Sequence, residues 1–388
     1  MDRLVKLSRI TRAGSAVMVG ALALALAGCG SDDPTGSGND TSETPTEGAA
    51  TADAAAAVDA AAISGEFSGA GASSQESAME AWIAGFQTTN PDVTINYDPA
   101  GSGAGRGQFL AGGVAWAGSD AVLKDEEIET SRTVCGPDGA ISLPVYVSPI
   151  AVAFNLPGID SLNLAPATIA GIFTGAITTW DAPEIAADNP GVELPATEIT
   201  AVHRSDDSGT TENFTDYLAA TASEVWTFEP DGVFPVEGGD SAEGSSGVIG
   251  VVRQTEGAVT YVDASKVGEG IGTAAVKVGE EWVAFTPEAA AAAVDASPLV
   301  EGRHANDLAF ELDRTTTDPS AYPLVLISYA IACQNYSDEA TGDFVKAFLG
   351  FIASAPGQEA AAQAAGSAPI SGDLESKVQA AIAAITVG

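Results

Sequence analysis

Basic side chains are scarce in this sequence of 388 residues. It has 15 lysines and arginines against 53 aspartates and glutamates, a formal net charge of −38. Such an acidic surface repels phosphate backbones and anionic lipid headgroups, so we expect no nucleic-acid partner and no polybasic membrane contact. With only two histidines and three cysteines, a zinc site of those ligands is not expected, nor is any other cofactor. Apolar residues reach 45%, and the length predicts two domains.

The first 28 residues have the pattern of an export signal. Four basic residues precede an apolar run of 15 residues at 13–27, which is shorter than the roughly 20 residues of a membrane span. The run ends in Leu-Ala-Gly-Cys at 26–29, which resembles the lipobox of bacterial lipoproteins. That resemblance implies cleavage after residue 28 and lipidation of Cys29. A plain secretory signal with an incidental cysteine is the alternative.

Residues 29–63 are small, polar and acidic, with hardly any large apolar side chain. Such a segment buries too little surface to offset its ordering entropy, so we predict a flexible tether. The folded body would then be lipid-anchored at the outer face of a bacterial cell membrane. In that oxidising compartment, Cys135 and Cys333 are predicted to form a disulfide. Two buried free thiols are the alternative.

The body alternates β-rich runs with amphipathic helices. Residues 93–97, 139–147 and 199–203 are predicted strands. Residues 78–87 carry large apolar side chains at the i, i+3, i+4, i+7 spacing of a helix, and residues 211–220 and 373–385 are similar. The alternation predicts an α/β fold with a mostly parallel or mixed sheet.

Glycine with serine or threonine comes directly before a helical segment three times, at 69–74, 101–105 and 208–211. Helix capping alone explains each case. The alternative is an anion site, because helix N-termini offer free N–H groups and a partial positive charge. Arg204, four residues before Ser208, favours the anion site, since its guanidinium binds oxyanions at two points and Asp206 could orient it. A surface salt bridge is the simpler interpretation of Arg204.

Asp120, which follows residues 116–119, suggests how such a site would select its anion. A carboxylate accepts a hydrogen bond from protonated phosphate, whereas sulfate has no proton to give. Two unit charges 4 Å apart interact by about 4 kcal/mol at an effective dielectric constant near 20. Uncompensated repulsion of that size discriminates by roughly a thousandfold.

These residues resemble the phosphate-binding proteins of bacterial phosphate ABC importers. The likeness covers nearly everything from Ser64 onward, and its most specific element is Arg-Ser-Asp-Asp-Ser-Gly-Thr-Thr at 204–211. Other matching stretches are 69–73, 97–105, 116–120, 171–180, 189–191 and 322–325. The resemblance implies an α/β, two-lobed periplasmic-binding-protein fold of type 2, with a hinge and a central ligand cleft. The first lobe would comprise 64–154 and 323–388, and the second 155–322.

The resemblance also implies a ligand, partners and roles. The protein would be a monomeric, non-catalytic lipoprotein that captures inorganic phosphate and delivers it to the permease subunits of an ABC importer. The implied phosphate-binding residues are Ser73, Ser74, Ser102, Asp120, Arg204, Ser208, Gly209 and Thr210. Asp206 would orient Arg204, Asp120 would accept the ligand's proton, and Ser74 and Gly209 would contribute backbone N–H groups.

Two positions depart from the family pattern. Ser74 stands where phenylalanine is usual, which matters little if only its amide is used. Asp207 stands where glycine is common, and it adds a negative charge for which the sequence gives no reason. A binder of another tetrahedral oxyanion and a secreted phosphatase are the alternatives. The phosphatase is disfavoured because neither His203 nor His304 has a Gly-x-Ser-x-Gly nucleophile to serve.

Overall fold

The computed structural model describes residues 63–388, so the predicted signal segment, Cys29 and nearly all of the predicted tether lie outside the described residues. In the described part, strands and helices alternate as predicted. The helices are α1 Glu76–Thr89, α2 Ser102–Leu110, α3 Asp125–Cys135, α4 Pro166–Phe173, α5 Pro183–Asp188, α6 Gly209–Thr221, α7 Gly244–Gln254, α8 Pro287–Asp295, α9 Glu339–Ile352, α10 Ala355–Ala365 and α11 Gly372–Ala383. Among residues 63–388, no helix is both long and apolar enough to cross a bilayer.

The strands form one curled mixed sheet in the order β2-β1-β3-β11-β4-β8-β6-β7, with β9 joined to β4 and carrying β5 and β10. Their bounds are β1 Gly65–Gly71, β2 Val93–Asp98, β3 Trp116–Ser119, β4 Ala140–Phe154, β5 Ser161–Leu164, β6 Thr200–Arg204, β7 Asp240–Ala242, β8 Ala258–Asp263, β9 Gly272–Val278, β10 Glu281–Val283 and β11 Val325–Cys333, with a separate pair β12 Asn335–Tyr336 and β13 Thr386–Val387. In the order of the sheet, β2, β1, β3, β11 and residues 140–149 of β4 belong to what we call the first lobe. Residues 150–154 of β4 with β5 to β10 form the second lobe.

Strand β4 passes from one lobe to the other. Its residues 140–149 pair with β11, and residues 150–154 pair with β8. The change falls at Pro149, which has no N–H to donate to a ladder. The strand is therefore longer than the predicted 139–147, because the apolar run continues past the proline and stays buried on both faces. The chain returns to the first lobe ahead of β11, since the Leu308 N–H donates to the Ser142 carbonyl of β4 at 3.0 Å and Asp307 accepts the Ser142 N–H at 2.9 Å. Two chain passages therefore connect the lobes, and such connections can act as a hinge.

The helices pack on the sheet through the faces that the sequence predicts. Helix α1 buries Met79, Trp82 and Phe86, and α6 buries Phe214 and Tyr217 with their neighbours. The apolar face of α1 meets α9 and α10 over the first lobe, where aromatic rings contact one another. Because these faces are buried, the positions of the helix ends are fixed relative to the sheet.

The predicted disulfide is confirmed. Cys135 at the end of α3 and Cys333 at the end of β11 are joined, with Cα atoms 4.9 Å apart. They are 198 positions apart in sequence, and the whole second lobe lies between them. The bond therefore ties together the two chain segments that build the first lobe, and the chain-entropy account gives such a loop several kcal/mol of stabilisation.

A buried carboxyl group lies where β4 changes lobes. Asp263, the last residue of β8, pairs with Ile150 and is fully buried. Its Oδ1 accepts hydrogen bonds from the Tyr146 hydroxyl at 3.1 Å and the Ser265 N–H at 3.0 Å. Burial raises the pKa of Asp263 to about 6, although the hydrogen bonds from Ser265 oppose the shift.

Asp263 should make the protein less stable as the pH rises from about 4 to above 6. A raised carboxyl pKa means that the folded state binds the proton more tightly than the unfolded state, so the stabilisation is complete below the unfolded value and is lost as the pH passes 6. Through this group, the free energy of unfolding of the parent should fall by about 2–3 kcal/mol between pH 4 and 8, and in Asp263→Asn this fall should be absent. Urea unfolding across that range measures it, with the exposed Asp138→Asn as control. Parallel stability curves for the parent and Asp263→Asn would contradict the assignment.

Candidate functional site

Five turns that follow the carboxyl ends of strands meet between the two lobes. Ligands of open α/β sheets bind outside the carboxyl ends of the strands. The turns follow β1, β2, β3, β6 and β7, and they contain respectively Ser73 with Ser74, Ser102, Asp120, Ser208 and Ser245. The structure thus brings together the residues that the sequence places far apart along the chain.

Asp120 is the carboxylate at the centre of this cluster, and it is 4% exposed. Its Oδ1 accepts hydrogen bonds from the hydroxyls of Ser74, at 2.6 Å, and Ser328. Its Oδ2 accepts one from the Thr210 hydroxyl of the second lobe, at 2.9 Å. Burial raises the pKa of Asp120, while these hydroxyls and the charge of Arg204 oppose the shift.

The hydrogen bonds leave Asp120 with room for a ligand proton. An ionised carboxylate has about four acceptor positions, and three hydroxyls use one each. Ser328 is itself fixed by Gln75, whose Nε2 donates to the Ser328 hydroxyl at 2.7 Å. The hydroxyl protons of Ser74, Ser328 and Thr210 therefore point at Asp120, and one acceptor position of the carboxylate is left over.

Arg204 supplies the positive charge of the cluster. It ends β6, it is 3% exposed, and its Nε donates to Asp206 Oδ1 at 2.8 Å, while Nη2 contacts Asp206 Oδ2. Asp206 also accepts the Gly244 N–H at 3.1 Å. Burial opposes ionisation of Asp206, but Arg204 and this N–H hold its pKa below the ordinary value. Arg204 is a buried, oriented cation, not half of a surface salt bridge.

Helix N-termini from both lobes meet at Asp120. The first turn of α2 places the Ser102 hydroxyl where it accepts the Asp120 N–H at 3.1 Å. Helix α6 begins at Gly209 and is capped by Ser208, whose Oγ accepts the Thr211 N–H at 3.2 Å. Only glycine fits at 209, because a Cβ there would lie 2.6 Å from Ser102 Oγ and 2.7 Å from Asp120 Cβ. Of the three glycine–serine turns, the one at 208–211 caps its helix through a serine side chain, whereas the N-caps of α1 and α2 make no side-chain capping hydrogen bond.

Two residues of the cluster are absent from the sequence prediction. Ser245 opens α7, and its N–H donates to the Ser73 hydroxyl at 3.0 Å. The Gly-Ser-Ser at 244–246 repeats the glycine–serine pattern before a helix, so that signal could have found it. Ser328 lies inside β11, where nothing in the local sequence distinguishes it from a core serine.

Ser74 also differs from expectation. Its predicted contribution was a backbone amide alone, but its hydroxyl is one of the donors to Asp120. A phenylalanine, the residue that the family resemblance leads us to expect at this position, has no such proton. The departure therefore changes how the Asp120 carboxylate is held.

A cavity of about 680 Å³ is lined in part by Asp120, and Arg204 is not among its lining residues. Its lining includes Glu212, Asp216, Glu311 and Asp313, with Arg314 bonded to Asp216 at 2.8 Å. This acidic lining repels anions. The cavity is therefore poorly suited to an anion.

A two-lobed α/β fold with a cluster of polar groups between its lobes is the architecture of the periplasmic-binding-protein (PBP) superfamily. Residues 45–356 match the family described as a PBP superfamily domain. The phosphate-bound structure of a periplasmic phosphate-binding protein, PfluDING, superposes with a TM-score of 0.66 at 23% identity, over 81% of this chain and 93% of that one. That likeness confirms the predicted fold.

The sequence relatives narrow the class to one family. Phosphate-binding protein PstS 2 of Mycobacterium tuberculosis is 35% identical over 328 residues, covering 83% of this chain and 87% of the relative. PstS3 of Mycobacterium bovis is 35% identical over 347 residues, covering 88% and 90%. The chain belongs to the PstS family of phosphate-binding proteins, which confirms the family predicted from its motifs.

Proposed function

We propose that this protein captures inorganic phosphate between its two lobes and delivers it to the permease of an ABC importer. The observation that carries the proposal is the meeting of Asp120, Arg204 and the N-termini of α2 and α6 between the lobes. One buried cation, neutral donors and a single acceptor suit a protonated tetrahedral anion. The named relatives are binding proteins, in keeping with a chain that binds its ligand without transforming it.

Each predicted ligand residue has a group to offer in this proposal. Arg204 supplies its guanidinium, held by Asp206, and Asp120 accepts the ligand's proton. The hydroxyl protons of Ser74 and Thr210 are used on Asp120, so we assign their backbone N–H groups to phosphate, with that of Gly209. Ser102 and Ser208 have hydroxyls that accept from backbone N–H groups, which leaves their own protons for the ligand. Ser73 accepts the Ser245 N–H, and its proton is left for the ligand when the Ser245 hydroxyl is the donor across their 3.1 Å contact.

The setting of the protein forms part of the proposal. Residues 1–28 would direct export, Cys29 would carry the lipid that anchors the chain outside the membrane, and 29–63 would be the tether. The proposed lobe boundary at 154/155 falls at the end of β4, five residues after that strand changes partners at Pro149, and the proposed boundary at 322/323 falls just before β11. A monomer is sufficient, since both halves of the site come from one chain.

Calorimetric titration of residues 29–388 carrying Cys29→Ser, stripped of ligand, tests the proposal. We expect tight one-to-one binding of phosphate and negligible heat with sulfate. Several converging hydrogen bonds to a charged ligand, at about 1.5–3 kcal/mol each before costs, suffice for tight binding. Equal binding of sulfate would point to a general oxyanion binder, and binding of neither anion would refute the proposal.

A further inference from the structure

The turn that follows β6 touches the first lobe at Gly103. The backbone carbonyl of Asp207 accepts the Gly103 N–H at 3.1 Å, across the lobe boundary. Gly103 is the second residue of α2, directly after Ser102. Asp207 is exposed, and it is the residue for which the sequence gives no role.

The side chain of Asp207 fits between two glycines, one in each lobe. A Cβ at residue 103 would overlap the Asp207 carboxylate and lie 2.7 Å from the Asp207 Cβ. A Cβ at Gly232 of the second lobe would overlap Asp207 Oδ1. Since the Asp207 Cβ is fixed by the backbone, a change of side-chain rotamer would not remove the first clash. The contact therefore depends on the bare surface of Gly103.

The charge of Asp207 suits this position. Helix α2 has no acidic residue in its own first turn, and a carboxylate near a helix N-terminus is favourable. The second lobe thus brings to α2 the negative charge that the helix lacks. The contact exists only while the lobes are closed, because Asp207 and Gly103 belong to different lobes.

We propose that Asp207 is a positioning residue for closure, and that its contact with Gly103 sets how completely the lobes close over the ligand. The inference rests on the proposed phosphate-binding function. It gives the unexplained acidic residue a role that does not require contact with phosphate, and it makes the bare face of α2 a part of the closing surface.

Gly103→Ala should weaken phosphate binding by about ten- to a hundredfold, because overpacking at a tight contact typically has an effect of this size. Gly103 lies in a helix and has no positive φ, so alanine fits its backbone, and the ligand-free protein should unfold at an unchanged or higher temperature. Small-angle X-ray scattering with saturating phosphate should show a larger radius of gyration than that of the parent. These measurements use residues 29–388 with Cys29→Ser.

Removing Asp207 should reverse the defect. We expect the double variant Gly103→Ala with Asp207→Gly to bind phosphate within about threefold of Asp207→Gly alone, because the clash is gone. Asp207→Gly by itself should weaken binding about two- to fivefold, the size of one helix-terminus interaction. Gly107→Ala is the matched control, since it lies in the same helix and a Cβ there meets nothing within 4 Å. It should bind as the parent does.

Three results would overturn the inference while the phosphate-binding function stands. The first is that Gly103→Ala binds phosphate as tightly as Gly107→Ala. The second is that Asp207→Gly does not restore the affinity that Gly103→Ala loses, and the third is that Asp207→Gly alone binds phosphate more tightly than the parent. Failure of the function itself looks different. The parent and Gly107→Ala would then give no heat with phosphate, and the closing role would fall with it.

Discussion

Replacing Arg204 with alanine should weaken phosphate binding by about thirty- to several-thousandfold. Truncating one partner of a buried, hydrogen-bonded charge pair typically costs about 2–5 kcal/mol. Arg204 is 3% exposed and is held by Asp206, so its loss leaves two carboxylates, Asp206 and Asp120, facing the anion without compensation. Calorimetric titration with phosphate at constant pH and salt measures the effect.

Two further variants show whether geometry or charge alone is involved. Arg204→Lys keeps the charge but loses the two-point contact with Asp206, and we expect an intermediate affinity. Arg132→Ala is the control for net charge, because Arg132 is exposed and pairs only with the exposed Glu129. It should change the affinity less than about twofold. A folded Arg204→Ala protein that binds phosphate within threefold of the parent would remove Arg204 from the site.

Asp120→Asn should lower the preference for phosphate over sulfate by up to about a thousandfold, mainly because sulfate now binds. The substitution keeps the shape: the amide oxygen can take the place of Oδ1, which accepts from Ser74 and Ser328, and the Thr210 hydroxyl can turn to accept from the amide nitrogen. It removes a repulsion of about 4 kcal/mol for an anion at 4 Å with an effective dielectric constant near 20. Titration of each anion into the parent and into Asp120→Asn measures the ratio, with Asp138→Asn as control.

The pH dependence of sulfate binding tests the role of Asp120 a second time. Burial raises the pKa of Asp120, so its neutral form appears at a higher pH than for an ordinary aspartate. A neutral Asp120 does not repel sulfate, and it has a proton to donate to it. The parent's affinity for sulfate should therefore rise as the pH falls. In Asp120→Asn this rise should be missing. Selectivity unchanged by both the substitution and the pH would show that Asp120 does not read the ligand's proton.

The parts of the site that the sequence predicted are local in the chain. Arg204 and Asp206 are two residues apart, and Ser208 caps the helix that follows at once. Such contacts form within one turn, so residue type and spacing are enough to suggest them. The family motif at 204–211 and the amphipathic helices are of the same kind. The disulfide followed from a count, since Cys135 and Cys333 were the two cysteines left after Cys29.

The support of Asp120 could not be predicted in this way. Ser328 is 208 positions from Asp120, and Thr210 is 90 positions away. Ser245 and Ser73, which close the other side of the cluster, are 172 positions apart. The local patterns mark Ser73, Thr210 and Ser245 as residues that precede or open helices, but only the sheet order decides which of them meet, and Ser328 has no local signal at all.

The sequence by itself determined the acidity, the alternation of strands and helices, the motif of the family and the residues that end strands or open helices. The tertiary structure alone decided that β4 runs on past Pro149 into the second lobe, that Ser74 donates to Asp120, and that Asp207 packs on Gly103. The physical reason is that hydrophobic periodicity and capping act over a few residues. Contacts between lobes depend instead on strand register and on the space left by a missing Cβ, which exist only after the whole sheet has formed.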